Sequence, residues 1–199
     1  LDGLTVGETG RSTFIKYGPG TLHLKGTGGA GKTHIVGLRD TVTPTAEMGC
    51  GPLHMRCVYA TGDAAGTVIE GFTLRDGASG NDKAIDNVPQ RGGGLAVTSA
   101  RKDVYLLDCV VSNCVAVYGG AMHGGTAVRS LIAYNRAINI YGIRAGIRMA
   151  NAYSSLIVRN DGSPCFESCT MVNCTVVSNE STMATSTPSS GGIYANAAS

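Results

Sequence analysis

The chain has 199 residues, 29 of them glycine, with 43% hydrophobic and 15% charged residues and a formal net charge of +2. That is enough for one domain with a real core, and the apolar content excludes a disordered chain. The small net charge excludes a chain-wide basic nucleic-acid binder, and no apolar run reaches the roughly 18 residues of a membrane-spanning helix.

In chain order, residues 1–65 read as irregular coils. The chain opens at Leu1 rather than Met, as expected of a processed chain or a fragment. Leu1-Asp2-Gly3-Leu4-Thr5-Val6 is strand-like at once, and Thr21–Leu24, His34–Leu38 and Arg56–Ala60 run or alternate as short strands. Two or three coils are expected here, with a loop from Thr41 to Pro52 punctuated by Pro44, Gly49, Gly51 and Pro52.

Gly26-Thr27-Gly28-Gly29-Ala30-Gly31-Lys32-Thr33 matches the phosphate-binding pattern G-x4-G-K-T. In that chemistry backbone amides cradle phosphates, Lys neutralises them and Thr holds magnesium, but the loop must open a helix. Here β-branched residues and Gly37 follow, a poor helix start, and no hydrophobic run ending in Asp stands out downstream. The match is therefore read as a glycine-rich turn that takes no nucleotide.

From residue 66 a repeat dominates. Gly71–Gly77, Asp108–Asn113, Ser130–Asn135, Ser155–Asn160 and Cys174–Asn179 are each a short aliphatic run ending at Asn or Gly. Their first inward positions are Phe72, Cys109, Ser130, Ser155 and Cys174, and their second are Leu74, Val111, Ile132, Ile157 and Val176. The second column steps by 37, 21, 25 and 19 residues. The long step contains a polar stretch, 78–91, read as an inserted loop, which leaves a period of about 22. A second column holds Gly93-Gly94-Leu95, Gly119-Gly120-Ala121-Met122, Ala145-Gly146-Ile147 and Gly191-Gly192-Ile193, its last Gly stepping by 26, 26 and 46. One member is missing, and Cys165-Phe166 marks its place. Ser181–Ser190 reads as a Ser/Thr-rich corner loop.

A unit of this length is too short for two helices, and no segment sustains a 3.6-residue apolar period. Short strands between Gly and Asn corners imply an all-β, single-domain parallel β-helix over 1–199, with coils stacked at about 4.8 Å. Asn135, Asn160 and Asn179 fall at matching corners, where their amides are placed to stack as a ladder.

Gly119-Gly120-Ala121-Met122, followed by Leu131-Ile132-Ala133-Tyr134-Asn135, resembles the GGA-I and F-x-x-N repeats of chlamydial polymorphic outer-membrane proteins. Val68-Ile69-Glu70-Gly71-Phe72-Thr73-Leu74 resembles the IxGFTI coil of secreted right-handed β-helix proteins with pectin-lyase-like folds. The resemblance covers 66–196 and implies a right-handed solenoid and an extracellular or cell-surface setting. It departs from the first group in having Ile or Val where that group has Phe.

Enzymes of the resembled fold use a Lys or Arg base with calcium-binding acids, or pairs of Asp. The basic candidates are Arg129, Arg144, Arg148 and Arg159, with Arg144 and Arg148 placed to form a small anion-binding face, and the acids are Glu70, Asp76 and Asp108. The acids fall one per coil with no Asp-Asp pair, so solvated outward faces are the expectation. His23, His34, His54 and His123 form no metal-binding spacing, and neither a metal nor a cofactor is expected.

Seven cysteines (Cys50, Cys57, Cys109, Cys114, Cys165, Cys169 and Cys174) lack the paired spacing of zinc sites. They suit an oxidising, secreted setting, with Cys50–Cys57 the best local disulfide candidate and one odd thiol left over. Cys109 and Cys174 read as small core residues.

Solenoids need caps, because an open end exposes strand edges and core. No N-terminal amphipathic capping helix is legible, and the chain stops at Gly192-Ile193-Tyr194-Ala195, in the middle of an expected coil. Leu1, Leu4 and Val6 at one end, and Ile193, Tyr194 and Ala195 at the other, are therefore expected to meet another copy head to tail. The expected function is a non-enzymatic structural subunit of a filament. The alternative is a surface adhesin or a carbohydrate-binding or lyase-like β-helix, with Tyr134, Tyr141, Tyr153 and Tyr194 as groove residues.

Overall fold

The computed structural model describes residues 22–42, 50–51, 53–60, 64–80, 90–98, 102–138, 146–162, 166–180 and 193–194. Among these residues six coils follow one another. The first contributes β1 (His23–Lys25), β2 (His34–Val36) and β3 (Val58–Ala60). The second has β4 (Val68–Glu70), β5 (Thr73–Arg75), β6 (Ala78–Ser79) and β7 (Leu95–Val97). The third has β8 (Tyr105–Leu107), β9 (Val110–Ser112), β10 (Val115–Ala116) and β11 (Met122–His123). The fourth has β12 (Thr126–Val128), β13 (Leu131–Ala133), β14 (Arg136–Ala137) and β15 (Ile147–Arg148). The fifth has β16 (Asn151–Tyr153), β17 (Leu156–Val158) and β18 (Phe166–Glu167), and the sixth β19 (Thr170–Val172), β20 (Thr175–Val177) and β21 (Ile193–Tyr194).

Equivalent strands stack into four walls, and every pairing between these strands is parallel. Sheet 1 is β1-β4-β8-β12-β16-β19, sheet 2 is β2-β5-β9-β13-β17-β20, sheet 3 is β14-β10-β6 and sheet 4 is β21-β18-β15-β11-β7-β3. The bridges Arg136–Asp161 and Asp161–Glu180 carry the third wall into the fifth and sixth coils. The chain is a parallel β-helix.

Strands of two or three residues suffice because each supplies one main inward side chain. Sheet 2 stacks Ile35, Leu74, Val111, Ile132, Ile157 and Val176 in register. Sheet 4 stacks Val58, Leu95, Met122, Ile147 and Phe166, so Phe166 fills the gap in the glycine column, and the β21 backbone continues the register at Ile193. Sheet 1 stacks Leu24, Ile69, Leu106, Ala127, Ala152 and Met171. The middle of these rows is fully enclosed, with Leu74, Leu95, Leu106, Met122, Ile132 and Ile157 at 0% exposure.

The corners repeat as strictly as the strands. Between sheets 1 and 2 the left-handed backbone falls on Gly71, Asp108, Arg129, Ser154 and Asn173, and between sheets 2 and 3 on Asp76, Asn113, Tyr134, Arg159 and Ser178. The residue after each turns inward. Its side-chain oxygen accepts the amide of its equivalent in the preceding coil: Ser130 from Cys109 and Ser155 from Ser130, both at 3.1 Å. At the next corner Asn135 accepts from Cys114, Asn160 from Asn135 and Asn179 from Asn160, at 2.9–3.0 Å. A corner amide that the strand ladder cannot reach is thus satisfied by a side chain.

Four details differ from the sequence reading. The insertion starts later than residue 78, because Ala78–Ser79 forms β6. The described part of the N-terminal region makes one coil, not two or three. The glycine column is offset by one, since Gly93 pairs with Gly120 and Gly94 with Ala121. The left-handed corner residues are the ones before Asn135, Asn160 and Asn179, which are themselves inward and whose burial is complete at Asn160.

Candidate functional site

The expected end residues are only partly placed. Leu1, Leu4, Val6 and Ala195 lie outside the described residues, and Ile193 and Tyr194 form β21, in register with Phe166 and Glu167. The described residues run from the coil that holds β1 to the coil that holds β20. Leu24 and Ile35 in the first coil, and Met171 and Val176 in the last, are inner-row residues only partly buried against the core. Their neighbours Val36, Val172 and Val177 are 46%, 51% and 45% exposed. Among the described residues, the first and last strands of sheets 1, 2 and 4 each pair on one side.

The first inward column lies where the corners place it. Cys109, Ser130 and Ser155 are buried, while Phe72 and Cys174 pack against the core as partly buried residues. Desolvation pushes the Cys109 thiol above its ordinary pKa.

The Gly26–Thr33 segment is the turn joining β1 to β2. Lys32 and Thr33 both donate their amides to the Gly29 carbonyl at 3.1 Å, and the Ala30 carbonyl accepts the Thr73 hydroxyl. A strand follows, so the helix that a phosphate cradle needs is not formed.

The arginines and acids pair along the corners. Arg129 grips Asp108 through two bonds, Nε to Oδ1 at 2.9 Å and Nη2 to Oδ2 at 2.7 Å, and this holds the Asp108 carboxyl below its ordinary range. Glu70 accepts from Lys25 at 2.9 Å and contacts His23 at 2.7 Å, and these bonds lower its pKa. Arg75 pairs with Asp76 at 2.5 Å. Arg159 stacks on Tyr134 and donates to its hydroxyl at 2.9 Å. His34 meets the Arg75 side chain and His54 the Gly51 carbonyl, each separately. Arg144 and Tyr141 lie outside the described residues. Arg148 lies over the Tyr118 ring, 5.0 Å from its centroid.

The outer face of sheet 1 carries a shallow cleft of about 420 Å³ lined by Lys102, Asp103, Tyr105, Thr126, Asn151 and Tyr153. Tyr105, Thr126 and Asn151 are successive members of one outward row. The Oδ1 of Asn151 is buried there and has no hydrogen-bond partner among the described residues. Of the tyrosines singled out in sequence, Tyr153 lines this cleft. Tyr105 carries no periodic signal of its own.

His123 sits at an outward position of sheet 4 yet is 0% exposed. Burial, with Arg91 and Arg148 nearby, lowers its pKa to about 3.

Cys50 and Cys57 are not joined. Cys50 belongs to a small second cluster with Ala78, Val115, Val117 and Ile138. Cys57 faces the main core, its thiol donating to the Arg75 carbonyl at 3.3 Å. The described cysteines carry thiols rather than disulfides, and Cys165 lies outside the described residues. Among the described residues no cluster of His, Cys, Asp and Glu is placed to hold a metal ion, and no helix is long and apolar enough to cross a membrane.

Comparison with known proteins finds no matching family model, no matching curated protein and no matching solved structure.

Proposed function

We propose that the protein is an extracellular structural β-solenoid whose open end coils stack head to tail on further copies. The observation that carries this reading is the inner row that is only partly buried at both described ends: Leu24 and Ile35 on one face, Met171 and Val176 on the other. A coil that follows the same order can continue the walls of sheets 1, 2 and 4. Met171 meets Leu24, Val176 meets Ile35, and β21 meets β3, so Ile193 falls over Val58. Unpaired edges then gain partners and apolar area leaves water. The contact is heterologous and does not close, so it propagates. The test is light scattering of the purified chain across concentration, beside Val176→Lys. That variant sets an ammonium on the stacking face at a partly buried position of the last described coil, and circular dichroism checks that the single subunit stays folded. The wild type should grow in mass with concentration while the variant stays at one subunit. Equal behaviour of the two overturns the reading.

The cleft on sheet 1 supports a second role, contact with a surface polysaccharide. Two half-buried tyrosines offer apolar ring faces, and Lys102, Asp103 and Asn151 offer donors and acceptors suited to hydroxyl groups. Affinity electrophoresis through gels carrying neutral or acidic polysaccharides tests it. A retardation lost in Tyr105→Ala supports the role, and unretarded migration in every gel removes it.

A further inference from the structure

The third wall carries an ordered run of charges along the solenoid axis. One of its columns holds Arg56, Ala78, Val115, Arg136, Asp161 and Glu180, one residue from each coil. The same hydrogen bond sets every step: the amide of each member donates to the carbonyl just before its neighbour in the preceding coil. Val115 bonds Gly77, Arg136 bonds Cys114 and Asp161 bonds Asn135, each at 2.8 Å, and Glu180 bonds Asn160 at 2.9 Å. The pairings of Ala78 with Val115, Val115 with Arg136, Arg136 with Asp161 and Asp161 with Glu180 follow. The Ala78 amide donates to the Met55 carbonyl at 3.1 Å, which by the same rule puts Arg56 next to Ala78.

Where this column brings opposite charges one coil apart, they meet: Arg136 Nε lies 3.1 Å from Asp161 Oδ2. The next step sets a carboxylate beside a carboxylate, Asp161 and Glu180, at a strand spacing of about 4.8 Å where like charges repel. No Lys or Arg follows Arg159 in the sequence. At the other described end the column closes on a cation. Arg56 donates from Nη2 to the Ser79 hydroxyl at 3.2 Å, and its guanidinium lies 5.1 Å from the centroid of the Tyr59 ring. A guanidinium has five N–H donors in one plane, so it can hold Ser79 and a carboxylate together.

We propose that Glu180 of one copy pairs with Arg56 of the next, and that this ion pair fixes the register and direction of the stack. The inference rests on the head-to-tail reading above. A copy that continues the coil order sets its Arg56 one step beyond Glu180 in the same column, the relation that Arg136 and Asp161 already have within one chain. The third wall then runs on beside sheets 1, 2 and 4. Reversed stacks set Glu180 against Glu180 or Arg56 against Arg56, so like charges reject them.

The experiment follows light scattering of the full chain against concentration, with circular dichroism as the check on folding. Glu180→Lys and Arg56→Glu should each raise the concentration needed for growth about tenfold, because each sets like charges at the contact. Mixed in equal amounts, the two variants should grow as the wild type does. The ammonium of one then meets the introduced carboxylate of the other, and the native pair forms at every second contact. A second measurement uses Arg56→Lys with a carbodiimide, which condenses an amine and a carboxylate into an amide. Peptide mapping should find position 56 joined to Glu180. Within one chain the two positions are five coil steps apart, about 24 Å, so such a link joins two copies. A wild type that grows beside a mixture no better than its parts, or an Arg56→Lys chain that grows without this link, overturns the pair and leaves stacking through the other walls standing. A wild type that never grows overturns both.

Discussion

Asn160 shows how a single residue holds two corners at once. Its amide nitrogen donates to the Ile132 carbonyl at 2.9 Å and to Asn179 Oδ1 at 3.0 Å, and its own Oδ1 accepts from Asn135 through both backbone and side chain. Asn160→Ala strips these partners inside a closed interior, where each orphaned polar group costs about 1–3 kcal/mol. Urea unfolding should show a loss of at least that size, and a smaller loss for Asn179→Ala at the half-buried end of the ladder. His123 makes a different prediction. Its ordinary pKa of 6.5 falls to about 3 in the folded chain, chiefly through burial. Above pH 6.5 it is neutral in both states and costs nothing. Between pH 6.5 and about 3 only the unfolded chain takes the proton, so stability falls with acid by about 1.4 kcal/mol per pH unit. The paired carboxylates Glu70 and Asp108 also lose stability in acid, so the difference between wild type and His123→Gln isolates the imidazole. Unfolding at pH 7 and pH 4.5 should give a steeper acid loss in the wild type, and equal losses would place the ring in water.

At the scale of the strand, one inward side chain per wall carries the packing, and its cost depends on its place in the stack. Ile132→Ala in the closed fourth coil should lose about 2–5 kcal/mol, while Val176→Ala in the open sixth should lose under about 1. Similar losses would mean that the end coil is covered. Glycines divide the same way. A Cβ at Gly120 would lie 2.1 Å from the Arg136 carbonyl oxygen, whereas one at Gly31 meets nothing within 4 Å. Gly120→Ala should abolish cooperative thermal unfolding followed by circular dichroism, and Gly31→Ala should leave it unchanged although it alters the phosphate-loop pattern.

These elements also explain what could be read from the sequence. The walls of sheets 2 and 4 were legible because their inner residues are Leu, Val, Ile, Met and Phe beside Asn or Gly. Sheet 1 was not, because Ala127 and Ala152 in its inner row look like any small residues. A constant period was illusory: strands keep their length while corners absorb the difference, so the steps run from 37 down to 19 residues. Burial of His123 was hidden, since strand alternation places it outward.

For the whole molecule, the strands of each coil pair only with those of neighbouring coils, so among the described residues interior coils are paired on two faces and end coils on one. The described ends keep the order of walls and the inward polarity of the middle, and a second copy offers the same order. Assembly should therefore strengthen with salts that favour burial of apolar surface, such as sulfate, and weaken in Val176→Lys. Negative-stain electron microscopy of the native chain over rising concentration tests this most directly. The account predicts unbranched rods of uniform width that lengthen with concentration and are missing in Val176→Lys. Discrete particles of one 20.4 kDa subunit at every concentration would contradict it.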